Sequence, residues 1–315
     1  MRESSLNPLL GLVVVSLVLV FVGWQPPLSA APSVVFALQE RSVADERGEV
    51  VRVPTLEFVA QVRGDQFRNP ELPSQTDYRL FSQAHFKDRR YYLWRSDRPE
   101  GTATASPPER LPSLYGSLEA PLKGSEALLP LPELELLVAT DQQLPQLKRR
   151  TPGEESLSAV DALAQDLLQK QGLRPELSKE VPRIWSSGVA VPGHPDTVAA
   201  LYRRLIASRQ GGVELRQIVN LIVVAEPVTE KGQTAWQVQW SLAGIGPAQA
   251  TPWFGPLAVA DLNGDGYEDL LVRETRFDRW SYGIYSYFQG RWQERYHGRE
   301  GSYASDLPSD EEEPK

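Results

Sequence analysis

The sequence predicts an α+β fold, in which two helices precede an antiparallel β region of about six strands. Three observations lead there. Residues 158–172 place apolar side chains at helical spacing, and residues 215–244 switch to a period of two around a tight turn. Beyond them, two apolar runs flank a loop at 261–269 that is rich in acids and glycine. With 41% apolar residues, 8 Trp, 11 Tyr and 9 Phe in 315 residues, the chain can bury a sizeable core.

Residues 1–31 read as a signal peptide or a membrane anchor. Leu9–Trp24 is apolar apart from Ser16. The run is shorter than the roughly 20 residues that span a bilayer, and slightly longer than the usual apolar part of a signal peptide, about 7–15 residues. Ser29 and Ala31 have the small-residue spacing that a signal peptidase reads, whereas Pro32 opposes cleavage, so a tether through residues 9–24 stays open. Both readings place the remaining chain in a periplasmic, lumenal or extracellular compartment. The absence of cysteine excludes disulfides, thiolate catalysis and Cys-type zinc or iron–sulfur sites. A net charge of -8, with no basic run beyond Lys148–Arg150, gives no attraction for nucleic acid.

Residues 32–98 form a β-rich N-terminal segment. In Thr55–Val62, the residues Leu56, Phe58, Ala60 and Val62 are expected on one face of a strand. In Arg89–Asp97, Tyr91 and Leu93 oppose Tyr92 and Trp94. Residues 99–132 contain Pro107, Pro108, Pro112, Pro121, Pro130 and Pro132, and are expected as a long irregular loop. An α+β domain follows at 133–300, opening with a strand in Glu133–Asp141. The acidic tail at 301–315 is expected to be disordered.

Within that domain, Ser158 is placed to cap a helix carrying Val160, Leu163, Ala164, Leu167 and Leu168. Asp161 would complete a capping box, and Gly172 would end the helix. A second helix is expected from Pro195–Asp196 to Gly211–Gly212, with Val198, Leu201, Tyr202, Leu205 and Ile206 on one side. Leu215–Val228 and Thr234–Gly244 then flank a turn, with Trp236, Val238 and Trp240 all facing one way. A last hairpin turns at Gln289–Gly290.

The acidic loop, "DLNGDGYED", carries the sharpest chemistry. A hard cation such as calcium takes about 6–8 oxygen ligands. Asp261, Asn263 and Asp265 occupy loop positions one, three and five, Tyr267 can offer its carbonyl, and Asp269 can close the cage. Gly264 and Gly266 let the backbone curl. Three carboxylates this close repel one another without a cation. Val272 stands where an EF-hand needs its bidentate Glu, and both flanks read as strands, so an EF-hand is excluded. The remaining alternative is an Asx-rich turn without metal.

Residues Phe254–Val272, "FGPLAVADLNGDGYEDLLV", resemble an FG-GAP (VCBS-type) repeat, the strand–calcium loop–strand unit of integrin α-chain propellers and many exported bacterial proteins. The resemblance extends weakly through Ile284–Tyr296. It implies calcium ligation by the side chains of Asp261, Asn263, Asp265 and Asp269 and by the Tyr267 carbonyl. No second copy occurs in the sequence, and a propeller needs about 4–8 blades, so the site is expected without the propeller.

Nothing local marks an enzyme. His85, His194 and His297 lack zinc-helix spacing, and Ser186–Gly188 lacks a nucleophile-elbow context. No nucleotide fingerprint occurs. Paired carboxylates keep a periplasmic hydrolase acting on glycan or phosphoester as the alternative, beside a purely structural envelope subunit. The C-terminal aromatics, from Phe277 to Tyr296, and their neighbouring arginines would either pack a hairpin core or face a partner. The leading expectation is a non-enzymatic exported or membrane-anchored protein with one structural calcium. Its aromatic–Arg surface would meet a protein or glycan partner.

Overall fold

A computed structural model describes residues 32–44, 47–96, 98–108, 118–123, 128–210 and 213–302. It corrects the α+β expectation: 54% of the chain is strand and 14% helix, in three antiparallel sheets, so the fold is β-rich. Residues 9–24 and the tail after Ser302 lie outside the described residues. Among the described residues no helix is long and apolar enough to cross a membrane.

The first sheet comprises β1 (Val34–Ala44), β2 (Val50–Arg63) and β3 (Gln66–Arg68), followed after helix α1 (Gln75–His85) by β4 (Arg90–Arg95), β5 (Arg98–Ala105), β6 (Glu119–Lys123) and β7 (Leu137–Thr140). Its order is β1-β7-β4-β5-β6-β2-β3, and β1 also pairs with β2, so six strands close into a ring. Phe36, Leu38, Leu56, Phe58, Tyr91 and Leu93 fill the interior. Helix α1, absent from the sequence reading, adds Tyr78 and Phe81 to that core, with Phe81 meeting Phe58 edge-on at 5.6 Å. It starts where Ser74 Oγ accepts the Asp77 N–H. Strands β5 and β6 fall inside the segment expected as an irregular loop, of which 109–117 and 124–127 lie outside the described residues.

The second sheet follows α2 (Glu154–Lys170) and the short α3 (Pro175–Lys179). It is built from β8 (Arg183–Gly188), β9 (Val198–Gln210), β10 (Val213–Glu230) and β11 (Gln233–Pro247), in the order β11-β10-β9-β8. Helix α2 begins earlier than expected, with Gly153 at its N-cap and Glu154 and Glu155 in the first turn, where acids suit the helix dipole. Asp161 therefore closes no capping box; it accepts hydrogen bonds from Arg183 and the Tyr202 hydroxyl. The helix ends as the sequence indicates. Gly172 adopts φ +92°, its N–H bonds the Gln169 carbonyl, and the Leu173 N–H bonds that of Leu168.

The helix expected at 195–211 is instead strand β9. Of the residues read as one helical face, Val198, Leu201 and Tyr202 are buried on the two sides of a sheet, Ile206 is half-buried and Leu205 is exposed. Val198, Ala200 and Tyr202 pack toward α2, whereas Ala199 and Leu201 pack toward the third sheet. A strand covered on both faces loses its polar alternation, and its apolar run then mimics a helix.

The third sheet, β12 (Trp253–Ala260), β13 (Asp269–Thr275), β14 (Arg279–Phe288) and β15 (Arg291–His297), with β16 (Gly301–Ser302) paired to β14, is the middle layer. Ala258, Ala260, Leu271, Tyr282 and Ile284 face the ring, against Val35, Ala37, Ala60 and Val138. The alternate residues Leu257, Val259, Leu270, Val272 and Tyr285 face the second sheet, against Leu201, Ile222 and Val224. Residues 134–136 cover its β12 edge through paired backbone bonds with Leu257.

Two bulges redirect side chains. Val59 is an extra residue opposite Val35–Phe36, so Leu56 and Phe58 point into the ring while Ala60 and Val62 point toward the third sheet. Gln239 is an extra residue opposite Val224–Ala225, so Trp236 and Val238 pack on the α2 side while Trp240 packs toward the third sheet. In each strand the predicted single face is split in two.

Candidate functional site

The loop joining β12 to β13 is organised by its own polar groups. Asp261 Oδ1 accepts the N–H groups of Gly264 (2.7 Å) and Asp265 (3.1 Å), and its Oδ2 accepts that of Gly266 (2.9 Å). Gly264 and Gly266 adopt φ +73° and +87°, which glycine reaches without strain. Asn263 Oδ1 accepts the Asp265 N–H at 3.1 Å, and Asp265 Oδ1 accepts the Tyr267 N–H at 2.9 Å. Asp269 closes the loop, its Oδ2 accepting the Leu262 N–H at 2.9 Å and its Oδ1 the Ser286 hydroxyl.

Asp261, Asn263 and Asp269 are buried, whereas Asp265 is exposed. Burial pushes the Asp261 carboxyl up to about 6, with the Asp265 charge adding and three amide bonds pulling back. Burial also holds Asp269 well above the usual carboxylate range, reinforced by the charges of Asp265 and Asp261. The donor set is therefore all hard oxygen, and the charges acting on the two buried acids are those of other acids. That chemistry fits a hard divalent cation. As placed, the acidic oxygens point to amides and to Ser286, and among the described residues no three acidic or histidine side chains converge as a metal group.

Glu268, which the sequence reading passed over, is the residue that ties the loop to its surroundings. Its Oε1 accepts Arg149 at 2.7 Å, its Oε2 accepts the Ala190 N–H at 2.7 Å, and its own N–H donates to the Ala190 carbonyl at 3.0 Å. Arg149 also donates to the Val259 carbonyl and to Ser187 Oγ. Only tertiary structure brings residues 149 and 190 to this loop, so no local signal marked Glu268.

Residues 257–291 match the model of the FG-GAP repeat. The match starts just after the Phe254–Gly255 pair and takes in the second half of β12, the loop, β13 and β14. Phe254 itself is buried in the core between the second and third sheets. An FG-GAP repeat marks an interaction or structural module. No characterised protein and no solved structure matches the chain.

Around the FG-GAP sheet, the aromatic group expected as a partner surface is mostly core: Trp280, Tyr282, Tyr285, Trp292 and Tyr296 are buried, while Phe277 is exposed. Tyr285 packs on Trp240 at 4.4 Å, because both faces of this sheet are covered. Two of the neighbouring arginines lie over rings, Arg273 over Trp280 at 5.4 Å and Arg295 over Phe288 at 3.6 Å, and Arg41 from β1 joins Arg273 over Trp280 at 5.2 Å. The three histidines stay apart. His194 lies 2.9 Å from Glu226 and 3.2 Å from the Tyr287 hydroxyl, His85 stacks on Phe81, and His297 sits by Glu294.

Proposed function

We propose that the chain is a non-enzymatic, calcium-stabilised module of an exported or membrane-tethered protein, serving a protein or glycan partner. The observation that carries this reading is the clustering of Asp261, Asp265 and Asp269 in one short FG-GAP loop, with Asp261 and Asp269 buried and their carboxyls raised by that burial, to which neighbouring acidic charge adds. Asp261, Asn263, Asp265 and Asp269 would hold the ion with their side-chain oxygens, and Tyr267 with its carbonyl. Bound calcium supplies the positive charge that lets these carboxylates stay ionised out of water. Its role is structural, since the loop belongs to the layer on which both other sheets rest. The best-placed buried acids serve structure too: Glu57 holds Trp280 and Tyr282, Glu268 holds Arg149, and Glu226 holds His194. The apolar run in residues 1–31 supports export or tethering.

Extracellular calcium modules bind at about 10⁻⁴–10⁻³ M. At about millimolar calcium, a site of about 10⁻⁴ M adds roughly 1.4 kcal/mol of stability, which raises the melting temperature by about 2–3 °C for a chain of this size. The test is calorimetric titration of calcium into chelator-treated protein, with melting curves recorded alongside. Asp265→Ala is the control, because this exposed side chain bonds only within the loop. Heat and a melting shift that vanish in the variant are expected. No heat and no shift in the wild type would overturn the reading.

A further inference from the structure

We infer that Glu268 is a positioning residue that couples the state of the FG-GAP loop to the fastening of the second sheet and of the 142–153 linker. This deepens the calcium reading and rests on it. Tyr267 and Asp269, two of the groups assigned to the ion, flank Glu268 directly. An ion held by both neighbours fixes the backbone between them, and thereby the aim of the Glu268 carboxylate. That carboxylate is 2% exposed, and its partner, the Arg149 side chain, is 11% exposed, so the pair is shielded from water and from salt.

The pair reaches into three layers of chain. Glu268 grips Ala190, in the connection from β8 to β9, at two points: the Ala190 N–H donates to Oε2 and the Ala190 carbonyl accepts the Glu268 N–H. Arg149 belongs to the linker and also bonds Ser187 at the end of β8 and the Val259 carbonyl on the strand entering the loop. The linker is pressed onto β8 here, since a Cβ added at Gly188 would lie 2.0 Å from the Arg150 carbonyl oxygen. Glu268 and Arg149 together therefore tie the linker to β8, to the β8–β9 connection and to β12. When the loop loosens, the shared anchor of all three loosens with it.

Hydrogen exchange on the full chain, chelator-treated and then in about millimolar calcium, reads this coupling at the Ala190 amide and its neighbours. Calcium is expected to slow exchange about tenfold at 261–269 and, together with it, at 187–191 and 147–151. In Glu268→Gln the loop still responds and the two remote segments do not. Arg149→Gln breaks the same bond from the other side if Glu268→Gln fails to fold. Protection of the loop alone in the wild type, or a remote response that survives in the variants, overturns the coupling and leaves the calcium reading standing. If nothing responds, calcium binding is refuted, and Gly266→Ala then decides the coupling by straining the loop at φ +87°. Faster exchange at 187–191 supports the coupling; unchanged exchange there ends it.

Discussion

Replacing Glu57 sets two large effects against each other. The side chain is buried between the ring and the FG-GAP sheet, where it accepts the Trp280 indole N–H and the Tyr282 hydroxyl, the latter at 2.6 Å. Tyr282 in turn accepts Gln39, whose carbonyl oxygen accepts Arg273. Glu57→Leu removes the cost of keeping a carboxylate out of water, which favours the variant. It also strands two buried donors, at about 1–3 kcal/mol each, and leaves Arg273 and Arg41 with less opposing charge. Removing a single member of a buried charged network is dominated by the groups left behind, so a net loss of about 3 kcal/mol is expected in urea unfolding followed by tryptophan fluorescence. A variant as stable as the wild type would refute this reasoning. The pH dependence gives a second check. Burial raises the Glu57 pKa above 4.5, against the pull of Arg273. Stability from protonated Glu57 is therefore complete below the unfolded value and lost as pH rises through the folded one. Relative to Glu57→Gln, the wild type should weaken as pH climbs from about 4 toward neutrality; a flat difference contradicts the burial argument.

Three further outcomes follow from packing and register. Leu271→Ala, at a fully buried position between the FG-GAP sheet and the ring, should cost about 3 kcal/mol in the same urea assay; a loss under about 1 kcal/mol would mean that this interface is loosely packed. Gly188→Ala drives its methyl into a backbone oxygen that no rotamer change can move, so a loss of about 2–3 kcal/mol and faster proteolysis within 142–153 are expected; unchanged cleavage would show that the linker lies elsewhere. Deleting Gln239 removes the bulge but leaves Val238 paired with Ala225 and Trp240 with Val224, so Trp236 and Val238 stay on the α2 side and Trp240 stays toward the third sheet. Near-UV circular dichroism should keep its native signature, and a lost signature would place the bulge elsewhere.

Where a local signal and the tertiary environment agree, the chain is readable. Gly172 ends α2 as its φ demands, Gln289–Gly290 turns the last hairpin with φ +51° and +82°, and the loop from Asp261 to Asp269 sits between two strands. Misreadings arise where the surroundings decide. The start of β9, Val198–Tyr202, is covered on both faces, so its apolar run has no polar alternation to betray it. The bulges at Val59 and Gln239 depend on partner strands that no local window contains. Prolines suggested an irregular 99–132, yet β5 and β6 complete the ring there through pairing with β4 and β2. Helix α1 did leave a trace, the Ser74–Asp77 start, that sequence reading could have used. Glu268 left none, because what it binds lies 78 and 119 positions away.

The two-sided cover of the FG-GAP sheet also bears on how such a chain can change over time. Propeller blades multiply because each offers its successor a free flank of the same kind. Here the two flanks fit different neighbours, a ring on one side and a helix-backed sheet on the other, and residues 134–136 guard a border. A duplicated copy of 254–297 would arrive with oily surfaces and no vacancy to receive them. The repeat is thus a keystone, cut on its two faces to neighbours of different shape.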